Sequence, residues 1–326
     1  METGVVMTQG QVSAFAPASI GNVSVGFDLL GAALAPIDGS RLGDEVSAQP
    51  AAAFNLTISG RFADRLPGVA SNNIVAKAYD YFHQRAVDAG HGFAPCALHL
   101  HKNLPIGSGL GSSASSIVAA LAALNSFYGE PFSQNELLQM MGALEGQISG
   151  SVHYDNVAPA YLGGLTLMVE YGQTIASQLP VFADWYWVVC YSGISVSTSA
   201  ARQILPAEFP MKTLLAFGRQ LSVFVDACHR GDENLAAAML SDVVAEPYRK
   251  SLLPHFDQCR DYIMANNGLA FGISGSGPTV FAVAKSLADA EAFQRYLQQY
   301  YLQNDDGFCH ICKLDPAGTR ISKETL

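Results

Sequence analysis

Apolar positions follow two different periods along this 326-residue chain, and the period changes several times. ALHLHKN (97–103) and FCHICKL (308–314) alternate residue by residue, which is typical of β-strands. In residues 72–90 and 133–149 the apolar side chains return every three or four positions, which predicts amphipathic helices. SASSIVAALAALNSFYG (113–129) is apolar almost throughout, so we expect a buried helix there.

Strands and helices are predicted in both halves of the chain without a regular alternation, which favours an α+β fold. Further strands are expected within 11–34, 44–60, GGLTLMVEYG, WYWVVCYSG and FGISGSGPTVFAVAK. Further helices are expected over 211–230, 233–245, 255–267 and 287–303. The length suggests about two domains. We predict subdomains 1–165 and 166–326, with the last strand returning to the N-terminal part.

Composition limits the classes of function. Hydrophobic residues make up 49% of the chain and charged residues 14%, which indicates a globular protein with a substantial core. The net charge of −10 argues against a nucleic-acid-binding protein. No signal peptide is evident, and the apolar run 117–124 is too short to cross a bilayer. Together with six cysteines in so long a chain, this predicts a cytoplasmic protein with reduced thiols and no membrane partner.

Two patterns resemble metal sites, and each has a plainer interpretation. Cys309 and Cys312 form a single CxxC, but the surrounding alternation favours a strand over a zinc or redox site. His99 and His101 lie on one face of a predicted strand, with leucines on the other face. No third ligand is evident beside them, so we expect a solvent-facing pair.

PIGSGLGSSASS (105–116) is the segment most indicative of function. It lies between a predicted strand and a predicted helix, and its glycines let the backbone approach a ligand closely. The start of the helix adds unpaired N–H groups and a partial positive charge, which together favour an anion such as phosphate. Gly-Lys-Ser/Thr is absent, which excludes a Walker A loop, and GSGLG does not have the spacing of a dinucleotide-binding loop.

Pro105-x-x-x-Gly109-Leu110-Gly111-Ser112-Ser113-Ala114 resembles the phosphate-binding motif of the GHMP kinases. APASIGNVSVGFDLLG (16–31) and GISGSGPTVFAV (272–283) resemble two other elements of that family, in the same order. Within the family, GNVSVGFD, residues 145–164 and AEPYR (245–249) are similar to the homoserine kinases. The resemblance runs from about residue 11 to the end of the chain. It implies the two-subdomain fold of the family, a homodimer, and the ligands L-homoserine, ATP and Mg²⁺.

The resemblance also implies roles for individual residues. ATP is expected to contact a phosphate loop formed by Pro105, Ile106, Gly107, Ser108, Gly109, Leu110, Gly111, Ser112, Ser113, Ala114 and Ser115, with Asn73 on the nucleotide side. Ser113 and Glu145 match the family's metal pair. The implied substrate-binding residues are Asn22, Asp28, His153, Arg202 and Arg249. The implied catalytic residues are Asn156, Glu145 and Asp28.

These assignments agree with the chemistry of homoserine. Its carboxylate is suited to the planar fork of an arginine, and its ammonium group to a carboxylate such as Asp28. The implied reaction is phosphorylation of the homoserine hydroxyl in threonine biosynthesis. Asn156 is expected to orient that hydroxyl. An aspartate placed similarly to Asp155 is a candidate base in mevalonate kinase, whereas the resemblance to the homoserine kinases implies no defined base. Two alternatives stay open: a GHMP kinase for another small alcohol such as mevalonate, and a non-catalytic member that senses ligands.

Overall fold

The computed structural model describes residues 10–66 and 72–324, which form two antiparallel-rich sheets with helices packed against them. The first sheet has the strand order β13-β1-β4-β6-β5. Its strands are β1 (Gln11–Pro17), β4 (Gly43–Pro50), β5 (Asn55–Ser59), β6 (Cys96–His101) and β13 (Arg320–Glu324). Only the β5–β6 pair within it is parallel. β13, which was not predicted, pairs with β1.

The second sheet has eight strands in the order β10-β11-β9-β12-β3-β7-β8, with β2 paired to β3. Its strands are β2 (Ser19–Gly21), β3 (Leu30–Pro36), β7 (Leu165–Tyr171), β8 (Thr174–Leu179), β9 (Tyr186–Tyr191), β10 (Ala270–Ile273), β11 (Val280–Ala284) and β12 (Phe308–Leu314). β2 and β3 belong to it although they precede residue 165. Membership of the two sheets thus does not by itself define a boundary at that residue. The predicted subdomains 1–165 and 166–326 stay a prediction.

Helices pack against both sheets. They are α1 (Ile74–Asp88), α2 (Ser112–Phe127), α3 (Gln134–Ser149), α4 (Val157–Leu162), α5 (Thr198–Gln203), α6 (Met211–Arg230), α7 (Glu233–Met239), α8 (Glu246–Arg249), α9 (Phe256–Ala265) and α10 (Leu287–Tyr300). The predicted α+β class is confirmed. Among the described residues, none of these helices is both long enough and apolar enough to traverse a bilayer.

One predicted helix is shorter than its pattern suggested. The prediction 233–245 is wrong beyond Met239, where α7 ends. The side chain of Asp242 accepts the backbone N–H groups of Val244, Ala245 and Glu246 at 2.7, 2.8 and 3.0 Å. An aspartate that caps backbone groups in this way competes with continuation of a helix. The chain therefore restarts as α8, which carries Arg249.

Buried side chains on both faces explain why the strands of the second sheet are so apolar. In β9, Trp187 and Val189 pack on the α6 side, whereas Val188 and Cys190 pack against α9 and α10. The run is therefore apolar without alternation, as expected for a strand covered on both faces. The CxxC segment is β12, in which Cys309 and Cys312 are buried free thiols. In β6 the leucines are buried and His99 and His101 lie on the opposite face, as predicted.

Phe281 provides a test of this core. It is fully buried in β11, with its ring centroid 5.5 Å from that of Trp187. We expect Phe281→Ala to lower the free energy of unfolding by about 3–5 kcal/mol, because the cavity is not refilled. The matched control is Phe209→Ala, since Phe209 is 36% exposed. Equal losses for the two variants in urea unfolding would contradict this account of the core.

Candidate active site

The glycine loop between β6 and α2 is held by its carbonyl groups. The carbonyl groups of five consecutive residues, 106–110, each accept one hydrogen bond, at 2.6–3.1 Å. In chain order, the donors are Ser195 Oγ, Val196 N, Thr279 N, Ser274 Oγ and Ser19 N. Because these oxygens bind protein groups, they do not present negative charge to a ligand. The N–H group of Leu110 donates to Ser108 Oγ at 3.3 Å, and the N–H groups of the first turn of α2 are the donors that favour an anion.

The glycines of this loop are required by its conformation. Gly107, Gly109 and Gly111 have φ values of 65°, 79° and 64°, and alternate with residues of negative φ. This alternation aims successive N–H groups toward one side and forms an anion-binding concavity. A Cβ on Gly109 would lie 2.4 Å from the carbonyl oxygen of Ser274. The loop therefore packs directly against residues 274–277, a glycine-rich turn within GISGSGPTVFAV (272–283).

A cavity of about 800 Å³ lies beside the loop and collects most of the predicted site residues. It is lined by Asn22, Asp28, Ile106, Gly107, Ser108, Gly109, Gly111, Ser112, Ser113, Glu145, His153, Asp155, Asn156, Arg202 and Arg249, among others. These residues come from both halves of the chain. The cavity lies where the two sheets meet the start of α2.

Five predicted nucleotide-binding residues do not line the cavity. Pro105, Leu110 and Ala114 are buried outside its lining. The hydroxyl of Ser115 points into the protein, where it donates to the carbonyl of Ala16 at 2.7 Å. Asn73 is 1% exposed and caps α1, its Oδ1 accepting the N–H of Val75 at 2.9 Å. Its neighbour Asn72 lines the cavity instead.

Ser113 and Glu145 meet at the edge of the phosphate loop. The Ser113 hydroxyl donates to Glu145 Oε1 at 2.8 Å. Burial raises the pKa of Glu145, whereas Ser113 and the charge of Lys102 lower it. A hydroxyl and a carboxylate oxygen are hard ligands that suit Mg²⁺, which takes its other ligands from phosphates and water. Among the residues described, no cluster of three or more His, Cys, Asp or Glu could hold a metal ion by itself.

Acidic and basic side chains form one cluster in the lining of the same cavity. Arg202 Nη2 donates to both carboxylate oxygens of Asp28, at 2.9 and 3.0 Å. His153 Nδ1 lies 3.9 Å from the same carboxylate, and burial lowers the pKa of this histidine. Arg249 is 3% exposed and donates to the carbonyl of Gly275 at 2.9 Å. The cluster thus offers both signs of charge within one pocket.

Phe27 lies between the two arginines. Its ring centroid is 5.8 Å from the guanidinium carbon of Arg202 and 5.3 Å from that of Arg249. The face of an aromatic ring attracts a cation that lies within about 6 Å of its centroid. The arginines repel each other, and this repulsion contributes to the lowered pKa of Arg249 after the larger effect of burial. Phe27 therefore helps to keep two like charges close together.

The chain segment that carries Phe27 and Asp28 has an unusual backbone. Asn22, Val23, Ser24 and Asp28 all have positive φ, which is costly for residues other than glycine. Asn22 holds the turn: its Oδ1 accepts the N–H of Asp28 at 2.8 Å, and its Nδ2 donates to the carbonyl of Gly275 at 3.1 Å. The predicted substrate residue Asn22 thus fixes the position of Asp28.

Asp155 and Asn156 lie at the start of α4, between the cluster and the loop. Asn156 Oδ1 accepts a hydrogen bond from Ser19 Oγ at 2.9 Å. Asp155 is 6% exposed, and its burial, reinforced by the charges of Asp28 and Glu145, raises its pKa to about 7. A carboxyl group with such a pKa can exchange a proton near neutral pH.

Sequence reasoning missed several lining residues. Four hydroxyl residues line the cavity and were not assigned: Ser195, Ser197, Thr198 and Ser276. The signal for the first three was the run of small hydroxyl residues in GISVSTSAARQIL, which was used only for Arg202, and Ser276 lies in the glycine-rich turn 274–277. Lys77 lines the cavity from α1 and was not assigned.

Comparisons with known proteins agree with this geometry. A model of the GHMP kinase N-terminal domain matches residues 73–164, and a model of the GHMP kinase C-terminal domain matches residues 224–303. The two matches together cover just over half of the chain. The chain belongs to the GHMP kinase family, whose members are phosphotransferases that use ATP. The two-subdomain fold predicted from the resemblance is confirmed.

Solved structures place the chain among its relatives. A homoserine kinase from Cytophaga hutchinsonii is 28% identical, with a TM-score of 0.85 over 98% of this chain and 100% of that chain. L. major mevalonate kinase in complex with R-mevalonate is 15% identical, with a TM-score of 0.67 over 95% and 99%. Streptococcus pneumoniae phosphomevalonate kinase is 14% identical, with a TM-score of 0.67 over 92% and 99%. The last two similarities show the fold alone.

Gly109 allows a direct test of the phosphate loop. We expect Gly109→Ala to weaken ATP binding by about tenfold or more, since a left-handed residue with a side chain costs about 1–2 kcal/mol before any clash. The measurement is the dissociation constant of ATP by calorimetry. Gly172→Ala is the control, because Gly172 has φ 63° and nothing lies within 4 Å of an added Cβ. If both variants bind ATP as the parent does, the loop does not hold the nucleotide.

Proposed function

We propose that this protein transfers the γ-phosphoryl group of ATP to the hydroxyl group of L-homoserine. The observation that carries the proposal is that the phosphate loop and the Asp28–Arg202–Arg249 cluster line one cavity. The 28% identity to a homoserine kinase over almost the whole chain supports the same acceptor. The product is O-phospho-L-homoserine, an intermediate of threonine biosynthesis. Cytoplasmic location and a homodimer stay predictions.

The charged cluster is suited to an amino acid zwitterion. Arg202 and Asp28 already satisfy each other, so a ligand with a single charge would leave one of them without its partner. A ligand with both groups can satisfy both side chains, because its carboxylate can bind Arg202 and its ammonium group can bind Asp28. Arg249 supplies a second guanidinium for the carboxylate, and its burial strengthens that interaction. Mevalonate, which has a carboxylate but no ammonium group, lacks a partner for Asp28.

The phosphate end of the cavity is suited to ATP and not to the acceptor alcohol. Loop N–H groups and the start of α2 hold the triphosphate, and Ser113 with Glu145 would hold Mg²⁺. When bound, Mg²⁺ neutralises charge on the phosphate oxygens. Phosphoryl transfer passes through a loose transition state, so positioning and charge stabilisation by these groups can supply most of the catalysis. The loop and the cluster line the same cavity, so a bound ATP and a bound acceptor would be neighbours there.

Two side chains are available to the acceptor hydroxyl. The amide of Asn156 can orient it by a hydrogen bond. Asp155, with a pKa of about 7, can take its proton once ionised. Asn156 lies next to Ser19 and Gly111, and both residues lie next to Gly21.

The experiment that tests the proposal measures ADP release from Mg-ATP with a panel of alcohols. The panel contains L-homoserine, L-serine, L-threonine, mevalonate and galactose. Strong turnover with L-homoserine alone is the expected result. Turnover with another alcohol would keep the kinase and overturn the acceptor. ATP binding without turnover on any alcohol would favour a ligand-sensing protein.

Asp28 separates binding from chemistry. We expect Asp28→Asn to raise the KM for L-homoserine about 10- to 100-fold with a small change in kcat, because hydrogen bonds to charged groups contribute about 1.5–3 kcal/mol. Steady-state kinetics at saturating ATP give both constants. The control is Asp226→Asn, which removes a surface ion pair with Arg230 at 2.8 Å. A collapse of kcat at unchanged KM would make Asp28 catalytic.

Asp155 predicts a pH dependence. We expect kcat/KM for L-homoserine to rise with pH through about 7, as the Asp155 carboxyl ionises. In Asp155→Asn the rise should disappear and the plateau should fall, about 100-fold or more for a lost general base. A profile of the same shape in the variant would show that Asp155 does not accept the proton.

The stability of the same variant gives an independent readout. The folded-state pKa of Asp155, about 7, lies above the ordinary value of 3.8, so folding favours the protonated form. This contribution is fully present below the ordinary pKa and is lost as the pH rises toward 7. The Tm of the parent should therefore fall relative to that of Asp155→Asn as the pH rises from about 4 to about 8. Parallel Tm curves would contradict the raised pKa.

A further inference from the structure

A charged side chain lies buried directly behind the phosphate loop. Lys102 follows β6, and its side chain is 2% exposed. Its ammonium group donates to Ser112 Oγ at 2.7 Å, to Ser112 O at 3.0 Å and to Ser116 Oγ at 3.0 Å, and it forms an ion pair with Asp44. Ser112 and Ser116 belong to the first two turns of α2. One ammonium group therefore ties the end of β6 to the start of the helix.

Asp44 completes the arrangement from β4. Its side chain is fully buried, and its Oδ1 accepts the N–H groups of Asn103 and Leu104 at 2.9 and 3.0 Å. Its Oδ2 accepts the hydroxyl of Ser116 at 2.6 Å in addition to the ammonium group. Asp44 thus holds the first residues of the loop with one oxygen and Lys102 with the other.

Stability alone is a weak reason for this pair. Removing two charges from water costs roughly as much as their attraction returns, and apolar replacements of buried ion pairs are often neutral or stabilising. The two partners also differ in their position relative to the cavity, since Lys102 lines it and Asp44 does not. Burial lowers the pKa of Lys102, whereas Asp44 and Glu145 raise it. The positive charge is therefore close enough to interact with Glu145.

We infer that Lys102 is a positioning residue for the triphosphate of ATP. Held by Asp44, its ammonium group fixes the first turn of α2, whose N–H groups face the ligand, and keeps one positive charge on the cavity side of the ion pair. It acts through the loop and the helix, not by transferring a proton. The inference rests on ATP binding alone and does not depend on the acceptor proposed above.

Three variants separate positioning from simple bracing of the fold: Lys102→Met, Asp44→Asn and the double variant. Asparagine retains an oxygen for the N–H groups of residues 103 and 104, and the double variant leaves no unpaired buried charge. For each, calorimetry gives the dissociation constant of ATP without any acceptor alcohol, and thermal unfolding gives the Tm. A failure of homoserine as the acceptor would not affect either measurement.

We expect Lys102→Met to weaken ATP binding about 10- to 100-fold, the range found when an outer-shell partner of a bound metal is removed. Asp44→Asn should lower the Tm as well but weaken ATP binding several-fold less, because the positive charge remains. The double variant should recover much of the Tm and none of the ATP affinity. If Lys102→Met does not fold, the comparison of Asp44→Asn with the double variant makes the same distinction.

The control neutralises another ion pair that has one buried member. Arg320 donates to both carboxylate oxygens of Asp315 at 2.7 and 2.8 Å, and neither residue lines the cavity. Asp315→Asn with Arg320→Met should leave ATP binding unchanged. Two results would overturn the positioning role: an ATP affinity that changes in parallel with Tm across the Lys102 and Asp44 variants, or an ATP affinity that returns in the double variant. Either result would show that the ion pair only stabilises the fold.

Discussion

The hydrogen bonds that hold the carbonyl oxygens of the glycine loop are the constraint on which the site depends. The groups that bind these oxygens come from three distant segments, around Ser19, residues 195–196 and residues 274–279. If these bonds were absent, the carbonyl oxygens could turn toward the cavity and repel a phosphate. The same bonds join the start of α2 to the second sheet, so the fold and the anion site depend on the same contacts.

The second constraint is the cost of keeping charged side chains buried or half-buried around the cavity. The chain carries a net charge of −10, yet Arg202, Arg249 and Lys102 concentrate positive charge at one place. Each cation is held by a defined partner: a carboxylate for Arg202 and Lys102, and backbone carbonyls for Arg249. Such partners compensate desolvation and fix geometry before a ligand arrives. The cavity therefore offers fixed cationic groups to an anionic ligand although the protein as a whole is acidic.

Much of the fold was predictable, because local patterns determine local structure. The helices α1, α2, α3 and α6 and most of the strands lie where periodicity placed them. Two strands, β8 and β13, escaped prediction since both are short, polar and paired at or near sheet edges. The end of α7 was missed because it depends on Asp242, a single side chain that binds the backbone N–H groups of the residues after it.

The sequence by itself determined the family and predicted the phosphate loop and part of the candidate site, since these follow from glycine spacing and from motifs in fixed order. Only the tertiary structure decided which side chains face the cavity. Ser115 and Asn73 turn away from it, whereas Thr198 and Lys102 border it. The physical reason is that a buried polar group must find a partner, and the nearest partner is set by packing between segments far apart in the chain.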